Sequence, residues 1–157
     1  MLAMALVILA IQAGEPTCHT ADSRVEGLIA AKAAELQGQE YCQFRLYHTI
    51  DDVDADGRDD FLVVFAVEAL GGGGNDHVQY LAAFSSRRGW RPVLVKVGER
   101  SVRNITGVAV EDGVIVLTTA DRLPGDAMCC PSGDGELRYQ LKSGQLLRAA
   151  PGRPTTR

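Results

Sequence analysis

Seven consecutive apolar residues, Phe61-Leu62-Val63-Val64-Phe65-Ala66-Val67, constrain this chain more than any other stretch. The run is rich in β-branched and aromatic side chains, and it lies between an Asp-rich and a Gly-rich segment, so it reads as a central strand. The rest of the sequence offers it partners. Residues 44–50 precede it. Residues 77–84 follow, with Val78, Tyr80, Ala82 and Phe84 on one face. Residues 93–97, 102–110 and 114–119 come next. In 136–142, Leu137, Tyr139 and Leu141 point inward, and a short strand covers 145–147. Pro92 starts its strand, a place tolerable on an edge. Asp112-Gly113 is a strong hairpin signal, and Lys142-Ser143-Gly144 also turns the chain.

One segment has helical periodicity. Ser23-Arg24-Val25-Glu26 is a capping box, Val25, Leu28, Ile29 and Leu36 share a face, and Gly38 is a natural stop. The expected fold is α+β and mainly β. An N-terminal helix packs on a curled antiparallel meander, or a barrel-like sheet, of seven or eight strands. The length of 157 residues suits one domain. With 46% apolar and 23% charged residues it is an ordinary globular composition. The net charge of −4 and the lack of a basic stripe exclude nucleic acid as a partner.

The acidity is local. Residues 51–60 hold six aspartates and one arginine, a net −5 that leaves the remainder of the chain at +1. In Asp52-Val53-Asp54-Ala55-Asp56-Gly57-Arg58-Asp59-Asp60, aspartates at alternate positions can turn toward one point, and Gly57 allows the sharp turn around it. Crowded carboxylates repel unless a cation or a proton relieves them. The expected ligands of one Ca2+ are Asp52, Asp54, Asp56, Asp60 and the backbone carbonyl of Arg58. The loop is not a complete EF-hand, because loop position twelve is Val63 and both flanks read as strands. It resembles the Asp-rich hairpin loop of FG-GAP and VCBS-type repeats. It occurs once, so a multi-blade propeller is not supported.

Residues 1–13 are apolar, too short to span a bilayer, and end in Ala13, so they resemble a signal peptide without a basic n-region. Residues 14–148 form the expected secreted domain and 149–157 a disordered tail. Cys18, Cys42, Cys129 and Cys130 suit an oxidising compartment and lack zinc spacing. Four cysteines allow three connectivities. The expected one joins Cys18 to Cys42, across the helix, and Cys129 to Cys130. Otherwise the adjacent pair is bridged to Cys18 and Cys42.

In order, the chain carries the Asp-rich loop, the apolar strand, a Gly-rich loop, Tyr80-Leu81-Ala82-Ala83-Phe84, a Val97-Gly98-Glu99-Arg100 turn and Gly125-Asp126-Ala127-Met128-Cys129-Cys130-Pro131. Over residues 40–142 this resembles a family of small secreted bacterial domains without assigned activity, often lipoproteins, with an Asp-x-Met-Cys-Cys-Pro loop. Ala127 stands where that family often has proline, and Glu99 where it often has aspartate. The resemblance implies an extracytoplasmic location and a β-rich fold.

His19, His48 and His77 are scattered, and there is no nucleophile elbow. Gly71-Gly72-Gly73-Gly74 lacks the Lys-Ser/Thr and helix of a phosphate loop. Asn104-Ile105-Thr106 matches a glycosylation acceptor but reads as strand. The expected protein is therefore not an enzyme. It is a periplasmic or secreted calcium-binding module that binds a protein or a cell-envelope glycan. The alternative is an inhibitor or immunity protein acting on a cell-envelope hydrolase.

Overall fold

A computed structural model describes residues 22–151, and of residues 47–51 the backbone alone. The expected signal peptide, Cys18 and residues 152–157 lie outside the described residues. The helix α1 spans Ser23–Glu35. Nine strands follow: β1 Gln39–Glu40, β2 Leu46–Asp51, β3 Asp60–Glu68, β4 His77–Phe84, β5 Pro92–Glu99, β6 Arg103–Glu111, β7 Val114–Asp121, β8 Gly133–Lys142 and β9 Gln145–Arg148. Every strand pairing among the described residues is antiparallel, so the chain is mainly β with one α-helix there.

The helix begins one residue earlier than the capping box implies. Asp22 is the N-cap, its carboxylate accepting from the N–H of Arg24, and Ser23 is already helical. Val25 and Ile29 are its buried stripe, with Leu28 and Leu36 packed beside them. No helix among the described residues is long and apolar enough to cross a membrane.

β3 is central. β4 pairs along one side, while β1 and β2 share the other as one edge interrupted by a turn at Cys42–Phe44. Its alternating side chains serve two cores. Val63, Phe65 and Val67 pack with Val25, Ile29, Ala82 and Phe84 under the helix. Leu62 and Val64 pack with Leu81 and Ala83 against Ile105, Ile115, Leu117, Leu137, Tyr139 and Leu141. That is why the run is apolar at every position. Each fully buried Phe or Leu contributes about 1.5–3 kcal/mol.

The sheet is open, running from β1 to β9, and it does not close as a barrel. The physical reason lies between β5 and β6. They pair only at Glu99↔Arg103, so beyond that point the second half leaves the ladder and faces the first across a shared core. Pro92, at the end of β5 that pairs with β4 but not with β6, fits this arrangement. At the other extremity Ala149 still donates to the Arg138 carbonyl, so the segment after β9 begins tied to β8.

On β6 and β7, Arg103 and Asp121 form a two-pronged ion pair of 2.5 and 2.8 Å, and Thr119 Oγ1 donates to the same carboxylate at 2.8 Å. The Arg103 guanidinium holds the Asp121 carboxyl below the usual range. A lowered folded-state pKa stabilises above the unfolded value, and that stability is lost as pH falls through the folded pKa. Asp121→Asn is therefore expected to cost about 1–2 kcal/mol at neutral pH. The deficit should shrink below about pH 4. Urea denaturation of both proteins across that range checks it.

Candidate metal centre

Consecutive antiparallel strands place alternate turns at the same end of a sheet. The β2–β3, β4–β5, β6–β7 and β8–β9 turns share one end, and the Gly-rich, β5–β6 and β7–β8 connections share the other.

The 52–59 loop lies at the first end. Val53 is buried in the core shared by the two halves, and the flanking Asp52 and Asp54 point elsewhere. Asp52 organises the loop. Its Oδ1 accepts from the Asp56 N–H at 2.9 Å and its Oδ2 from the Gly57 N–H at 2.7 Å. The Gly57 N–H is the main cause holding this carboxyl below its ordinary range. Gly57 takes a φ of 83°, and Ala55 sits at 59°, which costs about 1 kcal/mol for a residue with a Cβ.

Asp60, the first residue of β3, is only 2% exposed. Its Oδ2 accepts from the Val53 N–H and its Oδ1 from the Ser86 N–H, each at 3.2 Å. Burial pushes its carboxyl above the ordinary range. The Ser86 N–H opposes that rise, and the charges of Asp54 and Asp56 add to it. Asp54 Oδ2 accepts a 2.5 Å hydrogen bond from the hydroxyl of Ser85, which is fully buried. Asp54 Oδ1 is buried with no hydrogen-bond partner. An unpaired buried carboxylate oxygen is costly, so this atom calls for a cation or a proton.

Carboxylate oxygens of Asp52, Asp54 and Asp60 lie within 4.8 Å of one another, and this group could hold a metal ion. Hard oxygen donors suit calcium or magnesium rather than zinc. Asp56 and Arg58, also expected as ligands, are not part of the trio. Asp56 Oδ1 accepts from the Arg58 N–H at 2.9 Å, and its Oδ2 lies 3.4 Å from Ser86 Oγ. Ser85 and Ser86 had no signal in the sequence. They reach the loop from about thirty residues away through strand pairing, which local patterns do not encode.

At the opposite end the Sγ atoms of Cys129 and Cys130 are 2.19 Å apart, a disulfide-bonded distance. No described cysteine is free, but the expected partner of Cys42 lies outside the described residues. Asp126 ties their loop together. Its Oδ2 accepts from the N–H groups of Leu123 and Ser132, its Oδ1 from the Ser132 hydroxyl, and these bonds lower its pKa. A hollow of about 240 Å³ lies beside Cys129, lined in part by Tyr41, Phe44, His77 and Asn104. His77 Nε2 is 3.0 Å from Asn104 Oδ1 and its ring stacks on Phe44, so this histidine is held far from the aspartates. Val102, Leu123 and Met128 are exposed at this end.

No protein-family model, no curated protein and no solved structure matches the chain.

Proposed function

We propose that this protein is a calcium-binding, β-rich module of the periplasm or the extracellular medium, and that it binds a partner rather than catalysing a reaction. The observation that carries the reading is Asp54 Oδ1, a buried and unpartnered oxygen in a trio of carboxylates within 4.8 Å. A divalent cation satisfies that oxygen and relieves the repulsion among the three charges. Asp56 and the Arg58 carbonyl would complete the shell after a local adjustment of the loop. The serine hydroxyls near the loop favour a binding role. Both point at carboxylates, and Ser85 is sealed from any substrate. The partner is a protein or a cell-envelope glycan. Exposed Val102, Leu123 and Met128 around the Cys129–Cys130 loop support a protein surface at that end.

Extracellular calcium modules bind with dissociation constants of roughly 0.1–1 mM, so ~1 mM calcium should stabilise the fold by about 0.4–1.4 kcal/mol. Asp54→Ala is expected to abolish that gain. Calorimetric titration and paired thermal melts with and without calcium provide the test. No heat and no shift in wild-type melting temperature would leave the loop as an acidic turn.

A further inference from the structure

Beside the acidic loop is a hollow of about 520 Å³, whose walls include Asp54, Arg87, Arg88, Lys142 and Gly144. Arg87 also borders a second recess with Arg58 and Asp56. Surface arginines this close to aspartates usually pair with them. Here none of Arg58, Arg87, Arg88 and Lys142 has an ion-pair partner within 4.0 Å among the described residues. Four carboxylates of the loop have other partners. Asp52 and Asp60 accept from backbone N–H groups, and Asp54 and Asp56 face Ser85 and Ser86. Arg87, Arg88 and Lys142 line the hollow.

One of them touches a neighbouring turn. A Cβ built on Gly144 would lie 1.8 Å from Arg88 Nη1, so the tip of Arg88 rests against this glycine. The Ser143-Gly144 turn, with φ of 50° and 74°, closes the β8–β9 hairpin beside Arg88. Two arginines and a lysine lining one open hollow supply donors suited to an oxyanion.

We infer that Arg87, Arg88 and Lys142 form a receptor for a small oxyanion-bearing ligand, a carboxylate or a sulfate, and that calcium in the adjacent loop strengthens its binding. The coupling rests on the calcium reading. Asp54 is a wall of both sites, and its negative charge repels an anion until a divalent cation covers it.

The test is an NMR titration of the full chain with sodium sulfate and, separately, sodium glucuronate. Ionic strength is held constant with sodium chloride, because unspecific attraction is screened equally in every sample. Each titration is run in millimolar calcium and again after the protein has passed over a chelating resin. The expected result is saturable shifts at the Arg88 and Gly144 amides. The tighter of the two anions identifies the class of ligand. The Arg88→Gln/Lys142→Gln double variant changes exposed side chains only, and is expected to weaken binding about ten-fold or more. Removing calcium is expected to weaken it about five-fold or more. Non-saturating shifts for both anions, or an unchanged affinity in the double variant, would overturn the receptor. Equal affinity with and without calcium would overturn the coupling. Calcium calorimetry on the same samples separates the two readings. Calcium heat without saturable anion binding sinks the receptor alone. Anion binding that the double variant loses, with no calcium heat, sinks the metal reading and leaves the receptor standing.

Discussion

Gln79→Ala is expected to lower stability by about 3–5 kcal/mol, a large effect for a single polar side chain. Gln79 is fully buried on β4, opposite Gly98 of β5. Because Gly98 has no side chain, the Gln79 amide crosses over it to β6. There its Oε1 accepts from the Ile105 N–H at 2.8 Å and its Nε2 donates to the Ile105 carbonyl at 3.4 Å. A Cβ on Gly98 would come within 2.7 Å of that Oε1. This amide takes the place of a ladder where β5 and β6 have ceased to pair. Alanine leaves a buried N–H and a buried carbonyl without partners, each costing about 1–3 kcal/mol, and opens a cavity as well. Guanidinium denaturation measures the loss. Gln79→Met keeps the volume and removes the hydrogen bonds. If Met restores wild-type stability, packing rather than the amide bridge joins the two halves.

The second large effect is expected at Arg45, where Ala should cost about 3–5 kcal/mol. The Arg45 side chain is 6% exposed. Its Nη1 is 2.6 Å from Glu26 Oε1 on α1, and its Nε and Nη2 clasp the Glu40 carboxylate on β1. It therefore fastens the helix to the sheet edge by charge as well as by the apolar stripe of Val25 and Ile29. Removing it takes the shared guanidinium from two partly buried carboxylates, and that penalty, more than the worth of the pairs, sets the magnitude. Lysine keeps the charge without the fork and should fall between. A triple change of Arg45, Glu26 and Glu40 to apolar residues should recover most of the loss. A deficit under about 1 kcal/mol in Arg45→Ala would mean that water already serves these charges.

Elements set by local pattern were legible in the sequence. β4 has the predicted bounds, 77–84, because a Gly-rich loop precedes it and a polar turn follows it. Asp112-Gly113 and Ser143-Gly144 adopt paired positive φ values, as two-residue hairpin turns require. The Asp-rich loop joins two strands as read, and three of its four named aspartates converge. What escaped was decided by partners distant in sequence. Gln39 and Glu40 carry no strand pattern and are recruited by Glu68 and Val67. The helix cap moved to Asp22 because that carboxylate reaches the Arg24 N–H, and Ser23 was drawn into the helix. Ser85 and Ser86 look like ordinary turn residues until strand pairing sets them against the loop. The open sheet, too, depends on a single broken pairing that no periodicity announces.

Asp60 also bears on how this chain can vary over generations. One carboxylate oxygen is tied to Val53, just inside the loop, and the other to Ser86 in the next turn. A residue inserted at Asp112-Gly113 lengthens one hairpin and disturbs little beyond its two strands. A residue inserted between Val53 and Asp60 leaves Asp60 in step with Ser86, which β3–β4 pairing sets, but pulls the Val53 N–H away from the Asp60 carboxylate or Asp54 out of step with Ser85. The Asp-rich segment is thus gauged at both ends by one buried side chain, and its length is not free to drift as that of a surface loop ordinarily is.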